Sequence, residues 1–139
     1  MLKLHSEVRL VRWQPGATQN EIDDLRKRFP ALPEDVAVIL AEATELEIGY
    51  RNRYLRLYGP IGCMEIDEAY RISEQIPGAI TLGDNGGGEA IVYHPKLGLC
   101  RVAYGSLDEN TMVKIAESIT DLLINAAAPP EEVGGVEVR

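Results

Sequence analysis

Residues 83–94 read GDNGGGEAIVYH. Three consecutive glycines stand behind an acid and an amide, and the residues on either side decide what such a loop is for. A phosphate-cradling loop leads from a strand into a helix, whose first N–H groups hold the anion. Here the glycines lead into Glu89-Ala90-Ile91-Val92-Tyr93, a β-prone run. The spacing of Gly83, Gly86, Gly87 and Gly88 matches neither the dinucleotide fingerprint nor the P-loop, and no Lys-Ser/Thr pair follows. A calcium loop needs more oxygen ligands than Asp84, Asn85 and Glu89 supply. The stretch therefore reads as a hairpin. Asp84-Asn85-Gly86 is turn chemistry, and the further glycines either make a bulge or admit another backbone at close range.

Working outward, AITLG before the loop and EAIVYH after it are two strands of a meander, and LCRVAYG beyond the Pro95-Lys96-Leu97-Gly98 turn is a third. Upstream, residues 2–13 suggest a strand, with Leu2, Leu4, Val8 and Leu10 among polar residues. Thr18-Gln19-Asn20-Glu21 fits a capping box, and Ile22, Leu25 and Phe29 follow at helical spacing. Pro33 suits the first position of a second helix, in which Val36, Ile39, Leu40 and Ala43 make one apolar stripe. Ile48 to Tyr58 alternates like a single strand, and MEIDEAY, residues 64–70, suits a short helix. Met112, Ile115, Ala116, Ile119, Leu122 and Leu123 predict a last helix with a polar start at Asp108-Glu109-Asn110. The remainder, AAAPPEEVGGVEVR, has no periodicity and reads as a flexible tail over 126–139. The expected fold is α+β: one domain over 1–125, with a mainly antiparallel sheet, a helical hairpin before it and a helix after it.

The chain has 139 residues and a formal charge of −8, from 14 basic and 22 acidic side chains. Such a surface disfavours nucleic acid and anionic lipid and favours a basic partner. No apolar run is long enough to span a bilayer, and the first residues lack a signal-peptide core, so the expected location is the cytoplasm. Cys63 and Cys100 are far apart in sequence and are expected to be thiols.

No catalytic constellation emerges. Ser6, Ser73, Ser106 and Ser118 lack a nucleophile-elbow context. His94 ends a strand beside Pro95 and reads as a turn residue rather than a general base. Glu65, Asp67 and Glu68 have the composition of an acid–base pair, but a solvated helix face is far the commoner use of such a run. The two histidines and two cysteines are too scattered for a zinc site, and neither metal nor cofactor is expected.

Four stretches, taken in order, resemble the SUKH superfamily, which includes the yeast cell-wall-synthesis regulator and many bacterial immunity proteins. ATQNEIDDLRKRFPALPEDVAVIL is similar to its opening helix and the Leu-Pro-acid start of the next. YLRLYGP is similar to its strand ending in an aromatic and a turn, and EAYRISEQIPG to its helix and Pro turn. GDNGGGEAIVYH is similar to its glycine-rich hairpin, the most specific piece. The resemblance covers residues 18–125. The chain departs from it at AEATELEIGY, where many members carry an Asn-Gly-Gly turn, and at His94, where members often carry Asp.

The resemblance implies an α+β fold without enzymatic activity and a function in binding and neutralising a toxin, often a nuclease or deaminase. The expected partner is a basic toxin domain, met through Glu65, Asp67, Glu68, Asp84, Asn85 and Glu89. A regulatory scaffold without a toxin, or a small-ligand-binding domain built around the glycine hairpin, are the alternatives. The sequence does not give the oligomeric state.

Overall fold

The computed structural model describes residues 3–137. A seven-stranded antiparallel sheet runs in sequential order, β1 Val8–Pro15, β2 Ala43–Tyr50, β3 Arg53–Leu57, β4 Ile80–Asp84, β5 Glu89–His94, β6 Gly98–Ala103 and β7 Val113–Ala116. Between β1 and β2 lie α1 Gln19–Arg28 and α2 Glu34–Glu42; between β3 and β4 lie α3 Pro60–Tyr70 and α4 Ile72–Gln75. After β7 come α5 Ile119–Leu123 and α6 Pro130–Val133. This is the expected α+β class.

Local chemistry sets many of these boundaries. The Glu21 N–H donates to Thr18 Oγ1 at 3.2 Å and the Thr18 N–H to Glu21 Oε1 at 2.8 Å, so the capping box closes as expected. Arg26, Lys27 and Arg28 complement the other end of α1. Pro33 is the N-cap of α2 rather than its first residue. Ile48 to Tyr58 is not one strand: Arg51, at φ +51°, turns the chain between β2 and β3. The expected strand over 2–13 begins at Val8 and runs to Pro15, and Leu2 lies outside the described residues.

The expected helix over 112–123 is replaced by two elements. Val113–Ala116 pairs with β6, and only Ile119–Leu123 is helical. The backbone edge of β6 needs hydrogen-bond partners, and β-branched Val113 and Ile115 suit a strand that supplies them. Ser118 restarts the chain as a helix, its Oγ accepting from the Asp121 N–H at 3.1 Å.

The residues past Asn125 are also not a loose tail up to Glu137. Ala126, Ala128 and Val133 are buried in the main core. The Tyr50 hydroxyl, in the interior, donates to the Ala128 carbonyl, and Arg53 bridges to Glu137. Lacking periodicity, this segment is held by backbone groups and a few small apolar contacts. Val138 lies outside the described residues.

Two apolar clusters flank the sheet. The larger gathers Leu25, Ile39, Leu46, Ile48, Leu55, Ile91, Leu99 and Leu122 on the side of α1, α2 and α5. The smaller gathers Ile72, Ile76, Ala90, Val92, Cys100 and Val102 on the opposite side. β3 and β4 are joined by two residue pairs only, Arg56 with Asp84 and Leu57 with Gly83. Here α3, the connection between these strands, lies against both clusters through Ile66.

Candidate functional site

The glycine hairpin is a docking point for the chain's own C-terminal segment. Asp84 Oδ1 accepts from the Gly86 N–H at 2.9 Å and Asn85 Oδ1 from the Gly87 N–H at 3.1 Å, the expected turn chemistry. Gly86 and Gly88 have φ of +73° and +83°. Gly87 meets Gly135 so closely that a Cβ on it would stand 2.7 Å from the Gly135 Cα. Asn85 is wholly buried; its Nδ2 donates to Glu89 Oε1 and to the Val133 carbonyl, both at 3.0 Å. Glu89 is paired with Arg101 at 2.6 Å. Both residues, expected to meet a partner, are instead occupied in holding the hairpin to the 133–136 segment.

Asp67 is likewise internal. Its carboxylate, 1 % exposed, accepts from Arg28 Nη2 at 2.7 Å, Ser73 Oγ at 2.7 Å, the Ser73 N–H at 2.9 Å and Thr81 Oγ1 at 3.0 Å. One side chain thereby ties α3 to α1, α4 and β4. Asp84 is half-buried and accepts from the Tyr58 hydroxyl at 2.6 Å. Burial, reinforced by that bond, raises the Tyr58 pKa strongly, so it remains a donor. Of the six expected contact residues, only Glu65 and Glu68 stand free in solvent. Neither makes a hydrogen bond or ion pair with another described residue.

Glu65 and Glu68 continue a stripe that begins at Ile61, since positions 61, 65 and 68 share one face of α3. Ile61 is 53 % exposed, one of several large apolar side chains at the surface. It borders a cleft of about 210 Å³ shared with Glu21, Thr44 and Glu45. Sequence reasoning passed over Ile61 because an isoleucine in an apolar stretch is normally read as core.

The sheet brings a second surface into being. Cross-strand partners line up in one row, Arg12, Glu47, Arg56, Asp84, Ala90 and Val102. Partners in a row share one side of the sheet. Over β5 and β6 the row is apolar and covered by Ile72 of α4 and by Ile76, which caps its end. Over β1 to β4 it alternates in charge. A groove of about 430 Å³ opens there, lined by Arg12, Gln14, Glu45, Glu47 and Arg56. The Tyr54 hydroxyl donates to Glu47 Oε1 at 2.8 Å, and burial, then this bond, push its pKa up to about 12. Towards the covered half stand Tyr58 and Tyr104, their hydroxyls 3.4 Å apart, and Tyr104 stacks at 4.4 Å on Tyr70. Arg12, Glu47 and Arg56 are distant in sequence, and only the strand register reveals them as neighbours.

His94 is a turn residue, as expected. Its Nδ1 accepts from the Lys96 N–H at 3.2 Å, which leaves Nε2 as the donor to the Pro77 carbonyl at 3.1 Å. Cys63 and Cys100 are free, buried thiols. Among the described residues no group of three or more His, Cys, Asp or Glu is placed to hold a metal, and no helix is long and apolar enough to cross a membrane. No protein-family model and no curated protein matches the chain.

Proposed function

We propose that this chain is a non-enzymatic protein-binding module that neutralises a basic toxin domain, an immunity protein acting in the cytoplasm. The observation that carries the reading is the outward stripe on α3. An exposed apolar side chain, Ile61, lies in line with two carboxylates, Glu65 and Glu68, that have no internal partner. An apolar anchor beside uncommitted charge is the composition of a docking surface. The formal charge of −8 supports a basic partner, and the resemblance of residues 18–125 to the SUKH superfamily supports a toxin as that partner.

The test looks beside this gene for an encoded basic toxin domain and measures stopped-flow association with it at several salt concentrations. Reversing Glu65 and Glu68 together to Lys slows association by roughly tenfold at low salt and flattens its salt dependence. Asp67 is left intact because its reversal would disrupt the interior. Reversing Asp23 and Asp24, exposed on α1, does less. Wild-type rates for both double variants at low salt would refute this surface. Absence of any basic partner would return the chain to the scaffold reading.

A further inference from the structure

Residues 128–137 form an arm that runs to the glycine hairpin and fills a gap in the sheet. β3 and β4 pair only at Arg56 with Asp84 and Leu57 with Gly83, so the first half of β3 has no β4 beside it. The arm stands there instead. Glu137 bridges antiparallel to Arg53, Arg53 Nη1 donates to the Gly135 carbonyl at 3.3 Å, and the Val136 N–H donates to the Asn85 carbonyl at 3.4 Å. Val133 is wholly buried, whereas Val136 is 52 % exposed. Where its glycines lie, the slot has no room for a side chain. A Cβ on Gly135 would stand 2.2 Å from the Asn85 carbonyl oxygen, and Gly87 is packed just as tightly against Gly135. A strand carrying a side chain at every position is shut out, and the segment that fits is the one this chain carries.

The joint between arm and body is strained. Ala126 has φ +49° without the freedom of a glycine. One backbone bond closes over it, from the Ala127 N–H to the Asp121 carbonyl at 2.9 Å. Beyond it Ala128 precedes Pro129 and Pro129 precedes Pro130, a sequence that keeps both residues extended; Pro129 has ψ +146°. Straightening Ala126 gives up one hydrogen bond, relieves the left-handed turn and sends an already extended segment away from its own body.

We infer that the arm is exchanged between two copies of this chain, each laying residues 128–137 into the slot of the other. Every contact of the arm is remade in the second copy, so monomer and exchanged dimer differ at the hinge alone, and a short, strained hinge favours exchange. The glycine-only slot makes a second copy the occupant. The hydrogen bonds of the arm reach Tyr50, Asn52, Arg53, Asn85 and Arg101 and none of α3, so the inference stands apart from the toxin-binding reading.

The experiment mixes two full-length variants, Asn52→Cys and Glu137→Cys, in a thiol–disulfide buffer. Both positions are exposed, and Asn52 Nδ2 lies 3.3 Å from Glu137 Oε1 within one chain. Cys63 and Cys100 are buried and stay out of the exchange. A disulfide between the two variants requires the arm of one in the slot of the other. It is expected to accumulate as protein concentration rises, and light scattering on the wild-type chain should show a dimer growing in step. Ala126→Gly accepts the positive φ, removes the strain that exchange relieves and lowers the dimer fraction about fivefold. Deleting Ala126 and Ala127 leaves too little chain to close and makes the dimer the main species; if that chain does not fold, the other variants decide. Mixed disulfide no more abundant than between Asn52→Cys and Asp23→Cys chains, a wild-type chain monomeric at every concentration, or a dimer fraction unmoved by Ala126→Gly would overturn the inference. So would mixed disulfide that persists when Gly135→Ala is added to the Glu137→Cys chain, since it would have formed outside the slot.

Discussion

Replacing Asp67 tests whether an acidic run that looks uniform in sequence is split by the fold. In MEIDEAY the residues Glu65, Asp67 and Glu68 are within four positions of each other, yet only Asp67 faces inward. Asp67→Ala removes the acceptor for Thr81 Oγ1 and the Ser73 N–H, and it strips Arg28 of its counter-charge. Thr81 has no exposure, so its hydroxyl loses its partner without gaining water, at about 1–3 kcal/mol. Loss of the bonds from Arg28 adds less, because its side chain is 37 % exposed and water replaces part of the pairing. The void left by the carboxylate adds a little more. The sum is about 3–4 kcal/mol. Asp67→Asn keeps the volume but turns an amide NH₂ towards donors, and costs about 2 kcal/mol. Glu65→Ala and Glu68→Ala, on the same helix, stay within about 0.5 kcal/mol of wild type. Urea unfolding followed by far-UV circular dichroism measures all four, with constant m-values as the control. Asp67→Ala within about 0.5 kcal/mol of wild type, close to the measurement error, would refute the account of Asp67 as an internal tie.

Truncation after Asn125 removes the buried Val133, worth about 1.5 kcal/mol or more, and takes the Ala128 carbonyl from the Tyr50 hydroxyl and the Val133 carbonyl from Asn85; a melting temperature equal to wild type would show that the segment does not dock. Gly135→Ala places a Cβ 2.2 Å from the Asn85 carbonyl oxygen at φ +77°, and should cost more than Gly88→Ala, which meets nothing and carries only the backbone penalty of about 1 kcal/mol. Burial raises the thiol pKa of Cys100 to about 11 and that of Cys63 further. The folded state thus holds protons that the unfolded state releases, so stability is full below about pH 8.5, the ordinary thiol range, and falls as the pH climbs towards 11. Urea midpoints across that range should decline, and neither thiol should react with an aromatic disulfide reagent until the protein unfolds.

What the sequence determined by itself was local. The capping box at Thr18 and Glu21, the strand Glu89–His94 and the turn at Asp84-Asn85-Gly86 are each written in residues a few positions apart. The hydrogen bonds of the cap and the turn close within a few residues, and the strand shows in its β-prone composition, so composition and spacing suffice to read them. Tertiary structure decided the rest. Val113–Ala116 carries a helical period but became a strand because the edge of β6 had backbone groups to satisfy. The final segment, aperiodic in sequence, is docked because Gly135 finds Asn85 and Gly87 across nearly 50 residues of chain, a contact that depends on the absence of side chains on Gly87 and Gly135. The candidate surfaces followed the same division. That α3 was helical could be read from its residues, but which of its acids faced water depended on where Arg28 and Thr81 lay. The charged row from Arg12 to Asp84 exists only through strand register, which aligns residues that share no local pattern.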